Sequence, residues 1–141
     1  AEWTTGSPDD PDFSGTSTWV AELTANASWF DGSRLVLALH GVHDLAEVIV
    51  DGRSAGIAWT APFEADVTDL LRAGTNRIEI AVTNPWANRL MADAADPGSA
   101  RTQLTMPIYS PDAPRRPWGL RGGATLLRRP MTDGDSAYGA R

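Results

Sequence analysis

Short segments in which apolar and polar residues alternate run along most of this chain. The first covers residues 18–24, where the alternation places Trp19, Ala21 and Leu23 on one face. Such a period of two is typical of a β-strand with one buried face, because successive side chains point to opposite sides of a strand. The pattern therefore predicts an all-β fold made of many short strands.

Strand patterns recur along the rest of the chain. We predict them over 34–40, over 46–50, in a segment that returns towards Trp59, and over 63–67, 77–83 and 124–128. Segment 34–40 is apolar on both faces and should be a central strand. Asp51-Gly52 is a strong signal for a two-residue hairpin, because both turn positions favour a positive φ. Many short strands with turns between them predict two packed antiparallel sheets.

Two helical turns interrupt this pattern. Thr68 can cap a short helix over residues 69–72 that Gly74 would end. Residues 84–91 begin with Asn-Pro, which reads as an N-cap followed by proline at the first helical position. We expect both helical turns to be short.

The remaining segments set the expected domain boundaries. Residues 1–12 are polar and rich in proline, which predicts a linker, whereas 13–129 should form one domain and 130–141 a flexible tail. Segments 92–99 and 108–117 are too rich in Ala, Asp, Gly and Pro for regular elements, and are long enough to fold over one end of the sandwich. Loops of this kind often carry function.

Size and charge exclude several classes of protein. With 141 residues the chain is too short for a (β/α)-barrel, which needs about 200 or more. It has no cysteine, so disulfides and thiolate metal sites are excluded. Its formal net charge of -6 disfavours binding to nucleic acid, and no apolar stretch is long enough to span a membrane. All twelve basic residues are arginine, which suggests a GC-rich bacterial genome.

The charge is unevenly distributed along the sequence. Three aspartates lie near its beginning, namely Asp9, Asp10 and Asp12. Five arginines lie near its end, namely Arg115, Arg116, Arg121, Arg128 and Arg129. The basic group could dock an acidic surface or sugar, and the alternative is a solvated face with no partner.

Several ordered motifs carry a resemblance to a known family. Residues 41–52, 56–63, 66–68 and 74–76 resemble the sugar-binding β-sandwich that accompanies the catalytic domains of β-galactosidase-type glycoside hydrolases. Residues 83–90 and 109–123 are similar to the C-terminal domain of bacterial α-L-rhamnosidases. In the last motif this chain has Trp118 and Gly123 where that family typically has serine and proline.

The resemblance implies a galactose-binding-like jelly-roll β-sandwich and a function. We expect a non-catalytic carbohydrate-binding accessory module of a bacterial glycoside hydrolase, secreted or periplasmic. Its partners would be a plant or microbial polysaccharide, including rhamnose-containing ones, and the catalytic domain of the parent hydrolase. The alternative is a structural domain that supports the catalytic domain without binding sugar. No cofactor is required, although some related modules hold a structural calcium ion.

No residue of this chain forms a recognisable catalytic motif. His40 and His43 share no helical face on which to bind a metal, and the sequence has no serine nucleophile motif, phosphate loop or HExxH. Some pair of carboxylates will lie close together by chance among so many acidic residues. We therefore assign no catalytic residues.

Tryptophans in loops are the strongest binding signal, because the C–H face of a sugar ring stacks on an indole while its hydroxyls need polar partners. Trp59, Trp86 and Trp118 fall in or beside loops, where burial as loop anchors is the competing role. Asn88 and Arg89 could bind sugar hydroxyls or cap a turn. The candidate sugar-binding residues are Trp59, Trp86, Asn88, Arg89, Trp118 and Arg121, which should meet at one end of the sandwich.

Overall fold

The computed structural model of the chain describes residues 2–5, 9–102, 106 and 108–131. Within them the strands are β1 (Thr4–Thr5), β2 (Gly15–Ala25), β3 (Arg34–Leu39), β4 (Leu45–Val50), β5 (Arg53–Ala58), β6 (Glu64–Asp66), β7 (Gly74–Asn84) and β8 (Ala124–Arg129). The α-helix α1 covers Ala87–Ala95, and 3₁₀-helices cover Ala27–Trp29 and Pro97–Ser99.

The strands form two antiparallel sheets that pack face to face. The larger sheet has the order β1-β2-β7-β4-β5, and the smaller has the order β6-β3-β8. Alternate residues of both inner faces fill the core, and Leu35, Val48 and Ile80 are among its most deeply buried side chains. The prediction of an all-β sandwich is confirmed. Strand β3 is central in its sheet and buried on both faces, as its apolar sequence predicts.

The hairpin between β4 and β5 forms as the sequence predicts. Asp51 and Gly52 have φ values of 48° and 80°, so both turn residues occupy the left-handed region. The predicted segment 77–83 lies within β7, and its Ile78, Ile80 and Val82 are buried.

The helix predicted over residues 69–72 does not form. Instead the amide groups of Leu70 and Leu71 both donate to the carbonyl of Val67, closing a single turn. The side chain of the fully buried Asn76 accepts from the Arg72 amide at 2.9 Å and donates to the Arg72 carbonyl at 2.8 Å. These bonds satisfy the backbone in a non-helical conformation, and the next strand then begins at Gly74.

Helix α1 also differs from the prediction. It extends through residues 92–95, which were expected to be irregular, because their alanine-rich sequence favours a helix and its apolar face is buried. Asn84 ends β7 and does not cap the helix. Its side chain accepts from the Gly15 amide at 2.8 Å and donates to the carbonyl of Phe13 at 2.6 Å.

The predicted linker at residues 1–12 is partly built into the domain. Thr4 and Thr5 pair with Val20 and Trp19 of β2, and Trp3 packs against the core. Polar segments give no local strand signal, so this pairing could be seen only in three dimensions. Of the predicted tail at 130–141, residues 132–141 lie outside the described residues.

Strand register separates the sandwich into two ends. Leu45 at the beginning of β4 pairs with Thr83 near the end of β7, and Leu39 at the end of β3 pairs with Ala124 at the beginning of β8. The loop end therefore collects residues 9–14, 40–44, 59–63, 85–102 and 108–123. The turn end collects residues 26–33, 51–52 and 67–73.

Candidate functional site

A groove of about 530 Å³ opens at the loop end, between the segment before β2 and the segment before β8. One wall comes from residues 9–11 and the other from residues 115–118 together with Arg121. The lining includes two carboxylates, three guanidinium groups and one indole, contributed by Asp9, Asp10, Arg115, Arg116, Arg121 and Trp118.

The buried side chain of Asn88 connects both walls of this groove. Its amide nitrogen donates to the carbonyls of Pro11 at 3.1 Å and Arg116 at 2.9 Å, and its oxygen accepts from the Arg116 amide at 2.8 Å. Only 2% of Asn88 is exposed. Asn88 therefore holds the groove in shape from beneath, and its polar atoms are already used by the backbone.

Trp118 lines the groove and also packs into the domain. The centroid of its ring lies 4.9 Å from the ring centroid of Phe13, in a tilted arrangement. It lies 6.4 Å from the ring centroid of Trp19, in an edge arrangement. The next residue, Gly119, has a φ of 85°, and a Cβ atom there would lie 2.8 Å from Trp19 Cη2. Glycine is required here by both the backbone conformation and the close indole.

The backbone on either side of Arg121 is fixed against the loop after β3. The Gly122 amide donates to the His40 carbonyl at 2.9 Å, and the His40 amide donates to the Gly123 carbonyl at 2.9 Å. A Cβ atom at Gly122 would lie 2.7 Å from His40 Cβ, so the two segments are in close contact. Arg121 itself is exposed and lies on a well-anchored loop.

The three groove arginines differ in their acidic partners. Arg115 forms an ion pair with Asp12. Arg116 and Arg121 are exposed and, within the part of the chain that the structure describes, neither forms an ion pair. Burial raises the pKa of the nearby Asp44 carboxyl, an effect that the charges of His43 and Arg116 partly oppose.

The predicted site residues fall into three groups. Trp118 and Arg121 line the groove together. Trp59 and Trp86 lie at the same end and are 70% and 64% exposed, but neither is among the residues that line the groove.

Asn88 and Arg89 are held by internal contacts. Asn88 supports the groove from beneath, and the guanidinium of Arg89 binds Asp93 with nitrogen–oxygen distances of 2.6 and 2.8 Å. Asp93 also accepts from the amide and hydroxyl of Thr102. Hydrogen bonds from Thr102, followed by one from Arg89, lower the pKa of Asp93 to about 2. This cluster ties the end of α1 to the following loop.

Asp9, Asp10, Arg115 and Arg116 were not among the predicted site residues. The uneven charge of the sequence was the signal that pointed to them, because the acidic beginning and the basic end meet across the groove. The Asp12–Arg115 ion pair joins the two segments directly. Their proximity depends on the fold and has no signature within either segment.

The described residues give no support for a calcium site formed by acidic side chains. Nowhere in these ranges do three or more His, Cys, Asp or Glu side chains come together in a way that could hold a metal ion. We therefore assign no metal ligand. The helices in the same ranges include none with the length and apolar character needed to cross a membrane.

Comparison with known proteins identifies the family. The model for "Glycosyl hydrolases family 2, sugar binding domain" matches residues 3–99, which is more than half of the chain. The chain belongs to this sugar-binding domain family. The match runs from Trp3 through the 3₁₀-helix after α1, and so includes one wall of the groove and Asn88, whereas the wall at 115–121 lies beyond it.

Relatives of this sugar-binding domain are much longer proteins. The rhamnosidase from Novosphingobium sp. PP1Y is 39% identical to it and superposes with a TM-score of 0.76, over 84% of this chain and 12% of the rhamnosidase. A protein of Formosa agariphila named "Putative beta-glucuronidase" is 39% identical over 82 residues, which are 57% of this chain and 7% of that protein. The chain thus spans a small part of each relative.

Proposed function

We propose that this chain is a non-catalytic carbohydrate-binding accessory module of a bacterial glycoside hydrolase, and that it binds sugar in the groove at the loop end. The observation that carries the proposal is the groove lining, which combines the Trp118 indole with carboxylate and guanidinium groups. A sugar needs both an apolar surface for its ring and polar partners for its hydroxyls.

The parent protein that we propose is a hydrolase similar to a bacterial α-L-rhamnosidase. The likeness to the Novosphingobium rhamnosidase covers 84% of this chain at 39% identity, which supports a common domain rather than a shared fold alone. Because the chain corresponds to 12% of that protein, we expect the catalytic residues on another domain.

Isothermal titration of the chain with rhamnose-containing and other plant cell-wall oligosaccharides tests this proposal. We expect Arg121→Ala to raise the Kd about tenfold without changing the melting temperature, because the exposed guanidinium would bind the ligand directly. Trp118→Ala is less informative, since losing a tryptophan that packs against the core costs about 3 kcal/mol of folding free energy. Absence of binding to every glycan by the folded chain would reject the proposal.

Trp59→Ala and Trp86→Ala are matched controls at the same end. Both tryptophans are largely exposed and lie outside the groove lining, so we expect both Kd and melting temperature to stay close to those of the unmodified chain. A large loss of binding in either variant would place the sugar on that tryptophan and not in the groove.

A second candidate function is structural support of the catalytic domain. Leu45 and Ile57 lie on the outer face of the larger sheet and are 47% and 60% exposed, and the exposed Trp59 follows directly after β5. Neighbouring exposed apolar side chains are typical of a protein interface. If this face packs against the catalytic domain, Ile57→Lys should lower the melting temperature of the full parent hydrolase but not that of the isolated chain.

A further inference from the structure

We infer that the groove prefers an acidic sugar, a uronic acid residue whose carboxylate binds between Arg116 and Arg121. This inference rests on the proposed function, because it names the class of sugar that the same groove would take. The Arg116 and Arg121 guanidiniums provide the cationic side of the groove, and Trp118 provides the surface for the ring.

The first support is that the guanidiniums of these two arginines are available to a ligand. The chain has an excess of acidic residues, 18 against 12 basic ones, and other arginines are paired with carboxylates, such as Arg115 with Asp12 and Arg128 with Asp31. Arg116 and Arg121 lie on one groove wall, and neither makes an ion pair among the described residues. The Arg116 charge acts on the Asp44 carboxyl, but neither guanidinium is held in an ion pair, so both can form charge-assisted hydrogen bonds with a bound carboxylate.

The opposite wall indicates how much negative charge the ligand carries. Asp9 and Asp10 line the same groove as the arginines, and ionised carboxylates can only accept hydrogen bonds. They would accept bonds from sugar hydroxyls and repel a second anionic group. The groove therefore suits a ring with one carboxylate and several hydroxyls, and it disfavours a densely charged polyanion.

The backbone positions of both arginines are set before any ligand binds. The Arg116 amide and carbonyl are both bonded to the buried Asn88 side chain. Arg121 lies between the buried Leu120 and Gly122, whose amide is bonded to His40. Fixed backbone at both positions reduces the ordering needed on binding, which favours selective recognition.

The sharpest test compares an acidic sugar with its uncharged methyl ester. We would titrate the 141-residue chain with the methyl glycoside of galacturonic acid and with the methyl ester of that glycoside, at pH 7 and low salt. The acid should bind at least tenfold more tightly than the ester, and 0.5 M NaCl should remove most of this preference because exposed charges are screened.

Two variants and a control locate the effect. Arg116→Ala and Arg121→Ala should each bring the acid-to-ester ratio close to one. Arg53→Ala is the matched control, because Arg53 is likewise exposed and forms no ion pair within the described ranges, but lies beside the hairpin at the turn end. It removes the same charge from the chain and should leave the ratio unchanged.

The outcomes separate this inference from the proposed function. The inference is overturned if the acid and the ester bind equally, or if neutral rhamno-oligosaccharides bind more tightly than the acid. In either case a loss of affinity in Arg121→Ala would keep the groove as a sugar site. A preference for the acid that persists in both groove variants would also overturn the inference. No binding of any sugar would reject the proposed function itself.

Discussion

The turn end and the loop end of the sandwich each depend on a buried asparagine, but one makes most of its bonds within a short segment and the other makes all of its bonds between distant segments. Asn76 makes three bonds to backbone groups of Arg72 and Gly74, and one longer bond of 3.4 Å to the carbonyl of Leu23, which is 53 residues away. Asn88 joins Pro11 and Arg116, which are 77 and 28 residues away. One asparagine shapes a local turn, and the other assembles a groove from distant segments.

This difference explains why the candidate site lies at the loop end and not at the turn end. The connections between strands at the turn end span at most eight residues. The long loops at the other end could drift apart, and internal hydrogen bonds prevent this. The candidate site is therefore found where the fold uses long-range polar contacts in place of local turn geometry.

The largest effect should come from the local asparagine. Asn76→Ala leaves the amide and carbonyl of Arg72 without their buried partners, and we expect a loss of about 3 kcal/mol in the free energy of unfolding. Urea denaturation followed by tryptophan fluorescence would measure it. Asn26→Ala, at an exposed cap of a 3₁₀-helix, should cost less than about 1 kcal/mol. Equal losses in both variants would contradict the role given to Asn76.

Asn88→Ala should act on the groove more than on the sandwich. We expect a smaller loss of about 2 kcal/mol, because the loops can relax towards water once their shared partner is removed. Hydrogen exchange should become faster at the Arg116 amide while the amides of β7 remain protected. Unchanged exchange at Arg116 would show that Asn88 does not hold this wall.

Glycine substitutions sharpen the comparison between the two ends. Gly119→Ala places a methyl group against Trp19 at a positive φ and should cost about 2 kcal/mol. Gly52→Ala has the same backbone problem but nothing within 4 Å, so about 1 kcal/mol is expected. Thermal unfolding of both variants checks the order, and a more destabilised Gly52 variant would reverse it.

The smallest effect concerns the carboxylate beside α1. The pKa of Asp93 falls from an ordinary value of 3.8 to about 2 on folding, so its ionised form stabilises the native state above pH 4 and this contribution is lost as the pH falls towards 2. Asp93→Asn should therefore melt below the unmodified chain at pH 7, and the gap should close near pH 2. A gap that stays constant over this range would contradict the pKa.

Much of the fold was predictable because its signals are local. The alternation in β7 and the Asp51-Gly52 turn each depend on neighbouring residues, and both form as expected. The helix expected over residues 69–72 was wrong because Asn76, outside that segment, bonds to its backbone. Strand β1 was missed because its pairing with β2 has no pattern of its own.

The candidate site was predictable only in part, for the same reason. Of the residues predicted from the sequence, Trp118 and Arg121 line the groove at the end where the loops meet, and their role in sugar binding stays a prediction. The sequence could not separate these residues from Asn88, whose identity fits a surface role as well as a buried one. The sequence also did not predict that Asp9 lines the groove, because its position there depends on contacts across most of the chain.

The strand order of the smaller sheet has a consequence for synthesis on the ribosome. Its central strand, β3, is complete at residue 39, but its partner β8 ends at residue 129, so 90 residues must be translated before the sheet can close. During that interval one edge of an apolar strand has no partner, and such edges recruit other chains. The nascent domain therefore stays exposed to aggregation until strand β8 emerges. Strand β8 is thus as important as the core for the yield of folded protein.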